Sequence, residues 1–141
     1  MLLHELGRDT WTVLAIARSE MECELKEVLA QPDSNDLGAR MLRFLVLELP
    51  ASGPPKNEER SKQLDAGIYE FRMTPKRGPA LRVLWMYDEG RRVVCIHGYW
   101  KTTQRTPPAE IEKARRSRSD YLLAKRGNLL EITCADWTRA P

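Results

Sequence analysis

The stretch Gly67-Ile68-Tyr69-Glu70-Phe71-Arg72 is followed by Leu81-Arg82-Val83-Leu84-Trp85-Met86-Tyr87 and then by His97-Gly98-Tyr99-Trp100-Lys101-Thr102-Thr103-Gln104-Arg105-Thr106-Pro107. Reading these segments together decides the fold. They are rich in β-branched and aromatic residues and are separated by turn residues, Pro75-Lys76-Arg77-Gly78-Pro79 and Asp88-Glu89-Gly90-Arg91. The pattern predicts three strands in meander order, over about 67–74, 80–88 and 92–99. Successive strand side chains point to opposite faces. Ile68, Glu70 and Arg72 therefore share one face, and Tyr69, Phe71 and Met73 the other. In the next strand Arg82, Leu84 and Met86 oppose Val83, Trp85 and Tyr87. The apolar and aromatic sets should lie against helices, leaving Glu70, Arg72 and Arg82 on an open face. Charge within a sheet is costly unless it meets a partner. Paired guanidiniums match a phosphate with forked donors and stay charged at any workable pH. The expected partner carries phosphate.

Working outward, Trp11-Thr12-Val13-Leu14-Ala15-Ile16 reads as a first strand. Ser19 and Glu22 have the spacing of a capping box. Met21, Leu25, Val28 and Leu29 then mark one face of a helix ending near Pro32. A second helix is predicted over 37–49, with Leu37, Met41, Phe44, Leu45 and Leu49 on its apolar face and Pro50 as its stop. The two form a helical hairpin suited to covering a sheet. Residues 50–60 read as a loop. A further helix starts at Pro107 or Pro108, with Glu110 and Glu112 near its positive end. Ile111, Ala114, Tyr121 and Leu122 form its narrow apolar stripe; Lys113, Arg115, Arg116 and Arg118 make much of the remainder basic. Residues 128–137 add a short edge strand. The fold class is α+β: an N-terminal strand and helical hairpin packed on an antiparallel twisted sheet, with a C-terminal basic helix.

The chain has 141 residues, 42% hydrophobic and 30% charged, which fits one globular domain over residues 1–141 and excludes wholesale disorder. Charge is unevenly spread. Residues 1–63 hold 8 Lys/Arg against 11 Asp/Glu, a net of −3; residues 64–141 hold 15 against 9, a net of +6. The basic half coincides with the meander, a footprint suited to nucleic acid or an acidic protein. Cys23, Cys95 and Cys134 have no CxxC spacing, and with His4 and His97 they complete no zinc pattern, so the thiols read as reduced and structural. Neither a metal nor a cofactor is expected. No apolar run approaches ~18 residues and the start is too acidic for a signal peptide, so a cytoplasmic protein without a membrane partner is expected.

The order of these blocks resembles the RelE/ParE toxin superfamily, and more narrowly the phage-derived HigB-like toxins. That group carries a G-[LI]-[YW]-E-[LF]-R strand, an R-[VI]-[LF]-[YF] strand and an H-G-[FY]-x-K-[KT]-T-Q-[KR]-T-P element before a helix opening E-I-E-x-A. Here these are Gly67–Arg72, Arg82-Val83-Leu84-Trp85, His97–Pro107 and Glu110-Ile111-Glu112-Lys113-Ala114. The clear likeness runs from about 62 to 122, within a family core of about 11–125, with 126–141 as an extension. The loop over 51–62 also exceeds the compact core, and Thr102 stands where many relatives carry another lysine. The resemblance implies a RelE-like fold and the toxin of a type II toxin–antitoxin pair, held inactive by a cognate HigA-like antitoxin. It further implies a metal-independent endoribonuclease that cuts mRNA on the ribosome, beside ribosomal RNA, and so inhibits translation. The competing readings are a ParE-like toxin that inhibits a protein such as DNA gyrase, and a degenerate phage-derived binding domain.

Carried over by motif position, Arg82 matches the arginine on the scissile phosphate, Arg72 a basic residue of the preceding strand, and Lys101 a second phosphate contact. Glu70 is either the general base or the group that orients the arginines. His97 is either a base, with its unperturbed pKa near neutrality, or a hydrogen-bonded packing residue. Tyr99 and Trp100 are candidates for stacking on bases. Thr103, Gln104 and Arg105 belong to the basic loop, where the two polar residues either contact RNA or cap the final helix. Lys113 and Arg116 represent the basic helix face as a candidate RNA surface.

Overall fold

The computed structural model describes residues 1–137. Its elements are β1 (Leu2–Arg8), β2 (Thr12–Ala17), α1 (Glu24–Leu29), α2 (Leu37–Arg43), a π-helical turn (Phe44–Glu48) and α3 (Leu49–Ser52). They continue with β3 (Ser61–Asp65), β4 (Ile68–Met73), β5 (Ala80–Asp88), β6 (Arg92–Lys101), α4 (Pro108–Arg126) and β7 (Glu131–Cys134). The strands form one open sheet in the order β3-β4-β5-β6-β2-β1-β7. The β3–β6 meander and the β1/β2 pair are antiparallel. The β2/β6 and β1/β7 pairs are parallel, so the fold is α+β with a mostly antiparallel sheet.

The predicted strand parity holds through the meander. Phe71, Leu81, Val83 and Trp85 bury one face of the sheet against Leu25, Leu29, Leu37, Met41, Phe44 and Leu45 of the helical hairpin. The Trp85 ring stacks on Phe71 with centroids 4.6 Å apart and planes at 9°, and burial of such rings dominates core energetics. The opposite face differs from expectation, because it is not open. Ile68, Leu84, Met86, Val94 and Ile96 also point there and require cover, which Ala114 and Tyr121 of α4 supply. Sparse charges among many apolar residues mark a second core with a polar end.

Other departures have local causes. Ser19 Oγ accepts hydrogen bonds from the Met21 and Glu22 amides at 3.3 and 3.1 Å, but this closes a turn. The helix starts at Glu24 with Cys23 as N-cap, and Met21 lies 88% exposed instead of on the apolar face. Pro50 does not stop the second helix. Proline lacks the N–H that would return to Val46, and the π-helical turn, in which the Leu49 amide bonds to the Phe44 carbonyl, carries the chain on to Ser52. The Val46 carbonyl faces β1 at Gly7, where a Cβ would meet it at 2.6 Å. β1 itself was not foreseen. Nor was β3, a polar edge strand within what reads as loop and connector, joined to β4 by the two-residue turn Ala66-Gly67. The edge strand expected in the tail is β7, beside β1. The Trp137 indole then donates to His4 Nδ1 at 3.2 Å, and the Nε2–H of His4 donates to the Ser19 carbonyl at 2.8 Å. Residues 138–141 of the expected C-terminal extension lie outside the described residues.

α4 is tied to the sheet by ion pairs. The Tyr121 hydroxyl and Lys125 ammonium both donate to the buried Asp88 carboxylate at the end of β5. Burial opposes ionisation of Asp88, but the bonds from Lys125 and Tyr121 outweigh it and hold the carboxyl below the usual range. Burial, with Asp88 adding to it, pushes Tyr121 up to about 12. Nearer the start of α4, Arg115 Nε bonds Asp65 at 2.6 Å. The Arg118 guanidinium covers Gly67, where a Cβ would meet it at 2.7 Å and the φ of +71° favours glycine. Among the described residues no helix is long and apolar enough to cross a membrane.

Asp88→Asn should lower stability at neutral pH by about 2 kcal/mol, the cost of weakening bonds to a buried charged acceptor. The folded-state pKa of Asp88 is depressed, so its contribution is present above the unfolded value of ~3.9 and is lost as pH falls through the folded value. Urea titrations from pH 7 to pH 2 should show the gap between wild type and variant closing on the acid side.

Candidate functional site

Register builds the site. Arg72 on β4 stands directly opposite Arg82 on β5, and Arg82 opposite Tyr99 on β6. One row over, Lys62 of β3 faces Glu70, Glu70 faces Leu84, and Leu84 faces His97. In the other direction Ala80 faces Lys101. Alternation places Lys62, Glu70, Arg72, Arg82, Tyr99 and Lys101 on one face. This polar end begins where the cover of α4 stops.

Glu70 and Arg82 are only 2% and 3% exposed, which corrects the expectation that both emerge into solvent. Glu70 Oε1 lies 3.4 Å from Arg72 Nε and 3.9 Å from Arg82 Nε. The contacts are ionic and lack directed hydrogen-bond geometry, and Glu70 Oε2 is buried with no hydrogen-bond partner among the described residues. The Arg82 head is instead held by its terminal nitrogens, which donate to the Met73 and Leu81 carbonyls at 3.3 and 3.1 Å and to Thr74 Oγ1 at 3.1 Å. Arg72 Nη1 donates to the Glu58 carbonyl at 3.2 Å. Rigid placement of charged donors of this kind favours a site over a floppy surface patch.

An open cleft of about 570 Å³ adjoins these residues, lined by Arg72, Thr74, Arg82, Lys101, Thr103 and Gln104 together with the β4–β5 turn. Burial, then the proximity of Arg82, holds the Lys101 ammonium below the ordinary lysine value. Burial, then Arg72, likewise lowers Arg82, against the pull of Glu70. One buried carboxylate against three cations leaves the cleft positively charged, with low-dielectric walls that strengthen its attraction for an anion. Among the described residues no group of three or more His, Cys, Asp or Glu side chains is placed to hold a metal ion.

Most of the remaining candidates lie outside the cleft. His97 Nε2 bonds the Glu110 carboxylate at the start of α4, and its ring stacks on Tyr99 at 5.9 Å; it does not line the cleft. Tyr99 is buried, and burial pushes its phenol up, so its ring is not free to stack on a base. The Trp100 indole donates to the Val28 carbonyl at the end of α1, at 3.1 Å, and packs into the hairpin-side core. Thr103 Oγ1 donates to the Arg105 carbonyl at 2.7 Å within the loop, and Pro107, not a threonine, is the N-cap of α4. Lys113 and Arg116 stay on the exposed side of α4, paired with Glu110 and Glu112. Lys62 and Thr74 escaped the sequence reading. Lys62 lies in a strand that reads as loop, and Thr74 follows the last residue of β4, where it lines the cleft and accepts a bond from Arg82.

The family model "Phage derived protein Gp49-like (DUF891)" matches residues 26–119, two-thirds of the chain. The chain belongs to this family. The matched region runs from α1 through most of α4 and contains every residue of the cleft. No curated protein matches the chain.

Glu70→Gln removes the one negative charge between the two arginines. Breaking a buried pair from one side costs about 3 kcal/mol, a loss that urea unfolding should show. Arg72→Gln in the same background should recover part of it, since it removes one of the two unbalanced cations.

Proposed function

We propose that this Gp49-like, phage-derived protein is the toxin of a type II toxin–antitoxin pair and cuts mRNA by metal-independent phosphoryl transfer. A single observation carries the reading: Arg72, Arg82 and Lys101 line one cleft, and the buried Glu70 behind them lies within 4 Å of both arginines. In the proposed reaction the 2′-oxygen of a ribose attacks the adjacent phosphorus and the P–O5′ bond breaks. The products are a 2′,3′-cyclic phosphate and a free 5′-hydroxyl. One proton passes from the 2′-hydroxyl to solvent water and one from Lys101 to the departing 5′-oxygen, so the step consumes no water.

Each cleft group suits one part of that chemistry. Negative charge builds on the phosphorane oxygens, and fixed guanidiniums stabilise it without reorganising. Arg72, the more exposed of the two, meets the phosphate, while Arg82 supplies charge from the cleft wall. Lys101, with its lowered pKa, is the proton donor to the leaving oxygen. Glu70 acts through the arginines, because a carboxylate buried to this degree does not reach the ribose hydroxyl. The net positive charge of the cleft-bearing half supports mRNA on the ribosome, beside ribosomal RNA, as the setting, and an acidic antitoxin as the inhibitor.

Inducing the chain alone should arrest growth, and sequencing mRNA 5′ ends should reveal new 5′-hydroxyl termini within translated messages. Lys101→Ala and Arg72→Ala should each reduce cleavage by about 10²-fold, as expected for loss of one preorganised charge donor, with unchanged circular dichroism. Growth arrest with intact mRNA and stalled replication would instead favour inhibition of a protein target such as gyrase. Undiminished cleavage in both folded variants would falsify the mechanism.

A further inference from the structure

A concentration of unpaired arginines outside the cleft lies around the end of β4. Arg40 and Arg43, one turn apart on α2, join Arg60 and Arg72 in a second groove of about 610 Å³, with Glu48 as its single carboxylate. The two grooves share Arg72 and Thr74 and so adjoin one another. Among the described residues Arg40, Arg43 and Arg60 form no ion pair. The Arg60 guanidinium is seated 5.3 Å from the centroid of the Phe44 ring, which positions it without neutralising it. The arginines of α4 differ. Arg115 is paired with Asp65 and Glu112, Arg116 with Glu112, and Arg118 lies over Gly67.

We infer that the groove formed by Arg40, Arg43, Arg60 and Arg72 carries the sugar–phosphate backbone of single-stranded RNA from the cleft toward α2. The inference rests on the reading of the cleft as an RNA phosphate site. Arg72 is common to both grooves, so a strand whose reacting phosphate lies in the cleft meets three further guanidiniums along this path. Fork-shaped donors suit phosphate oxygens. The lining has Glu48, Met73 and Thr74 beside the arginines but no aromatic face on which a base could stack, and four neighbouring guanidiniums suit a run of phosphates. The groove holds and orients the strand without selecting its sequence.

The test is fluorescence anisotropy with labelled 2′-O-methyl oligonucleotides, which bind without being cut: a uridine trimer, a uridine 12-mer and an adenosine 12-mer. The triple variant Arg40→Ser/Arg43→Ser/Arg60→Ser changes only exposed side chains, and its thermal melt should match that of wild type. It should bind both 12-mers about tenfold more weakly, and the slope of log K against log salt should fall by about 2 for three lost phosphate contacts. Its affinity for the trimer should not change. Lys101→Ala should weaken the trimer and the 12-mers alike. Wild-type affinity of the triple variant for both 12-mers, with Lys101→Ala still defective, overturns the groove and leaves the cleft reading standing. If neither oligomer length binds the wild-type protein, the cleft reading fails and the groove inference fails with it. Loss of binding to a polyglutamate peptide with unchanged 12-mer affinity also overturns it, assigning the groove to an acidic protein segment.

Discussion

Arg72 and Arg82 stand directly opposite one another on β4 and β5, an arrangement that like charges in a sheet normally forbid. Two like unit charges 4 Å apart repel by on the order of 4 kcal/mol in the environment of a protein surface. Glu70 removes the difficulty, since one buried carboxylate lies within 4 Å of both guanidiniums. It leaves a surplus of positive charge facing the cleft. The site depends on that imbalance: enough neutralisation to let the strands pair, and too little to cancel the field. Lys101 and Lys62 enlarge the surplus, and burial of this polar end beside the α4-covered core sharpens it.

The sheet works as a two-sided wall. The helical hairpin buries one face, and α4 buries most of the other. Only the end of the second face remains for polar chemistry, and the placement of α4 decides where that end begins. The anchoring of α4 uses much of its own charge. Arg115 and Lys125 are bound to Asp65 and Asp88, and Arg118 packs against the β3–β4 turn. The most basic stretch of sequence is therefore largely occupied, while the sparser arginines of α2, which form no ion pair among the described residues, line the groove.

Strand existence and parity were legible because alternation in 67–101 is strong and each face has its own character. The helices were legible from their apolar spacing, but their limits were not. Ser19 and Glu22 satisfy the capping spacing while serving a turn, and Pro50 sits within a helix because a π-helical turn absorbs its missing donor. β1 and β3 escaped notice for different reasons. β1 mixes apolar and charged residues without strict alternation, and β3 carries a polar edge pattern that pairing with β4 alone makes regular. Parity puts Glu70, Arg72 and Arg82 on one face, and Lys101, expected in the loop after the last strand, joins them as the last residue of β6. Burial of Glu70 and Arg82 does not follow from the pattern, nor does the seating of Trp100 on Val28, while His97 takes the hydrogen-bonded packing role, on Glu110.

The sequence by itself determined the meander, the side of the sheet on which each charge falls, and the family blocks that run through it. Those depend on a two-residue period and on local turn chemistry, which short windows contain. Only the tertiary structure decided which of those charges are free. Whether an arginine meets a carboxylate, a carbonyl or open groove depends on residues far away in sequence. Asp65 beside Arg115 and Arg72 shared between two grooves are cases of that kind. No local pattern of residues records such pairings.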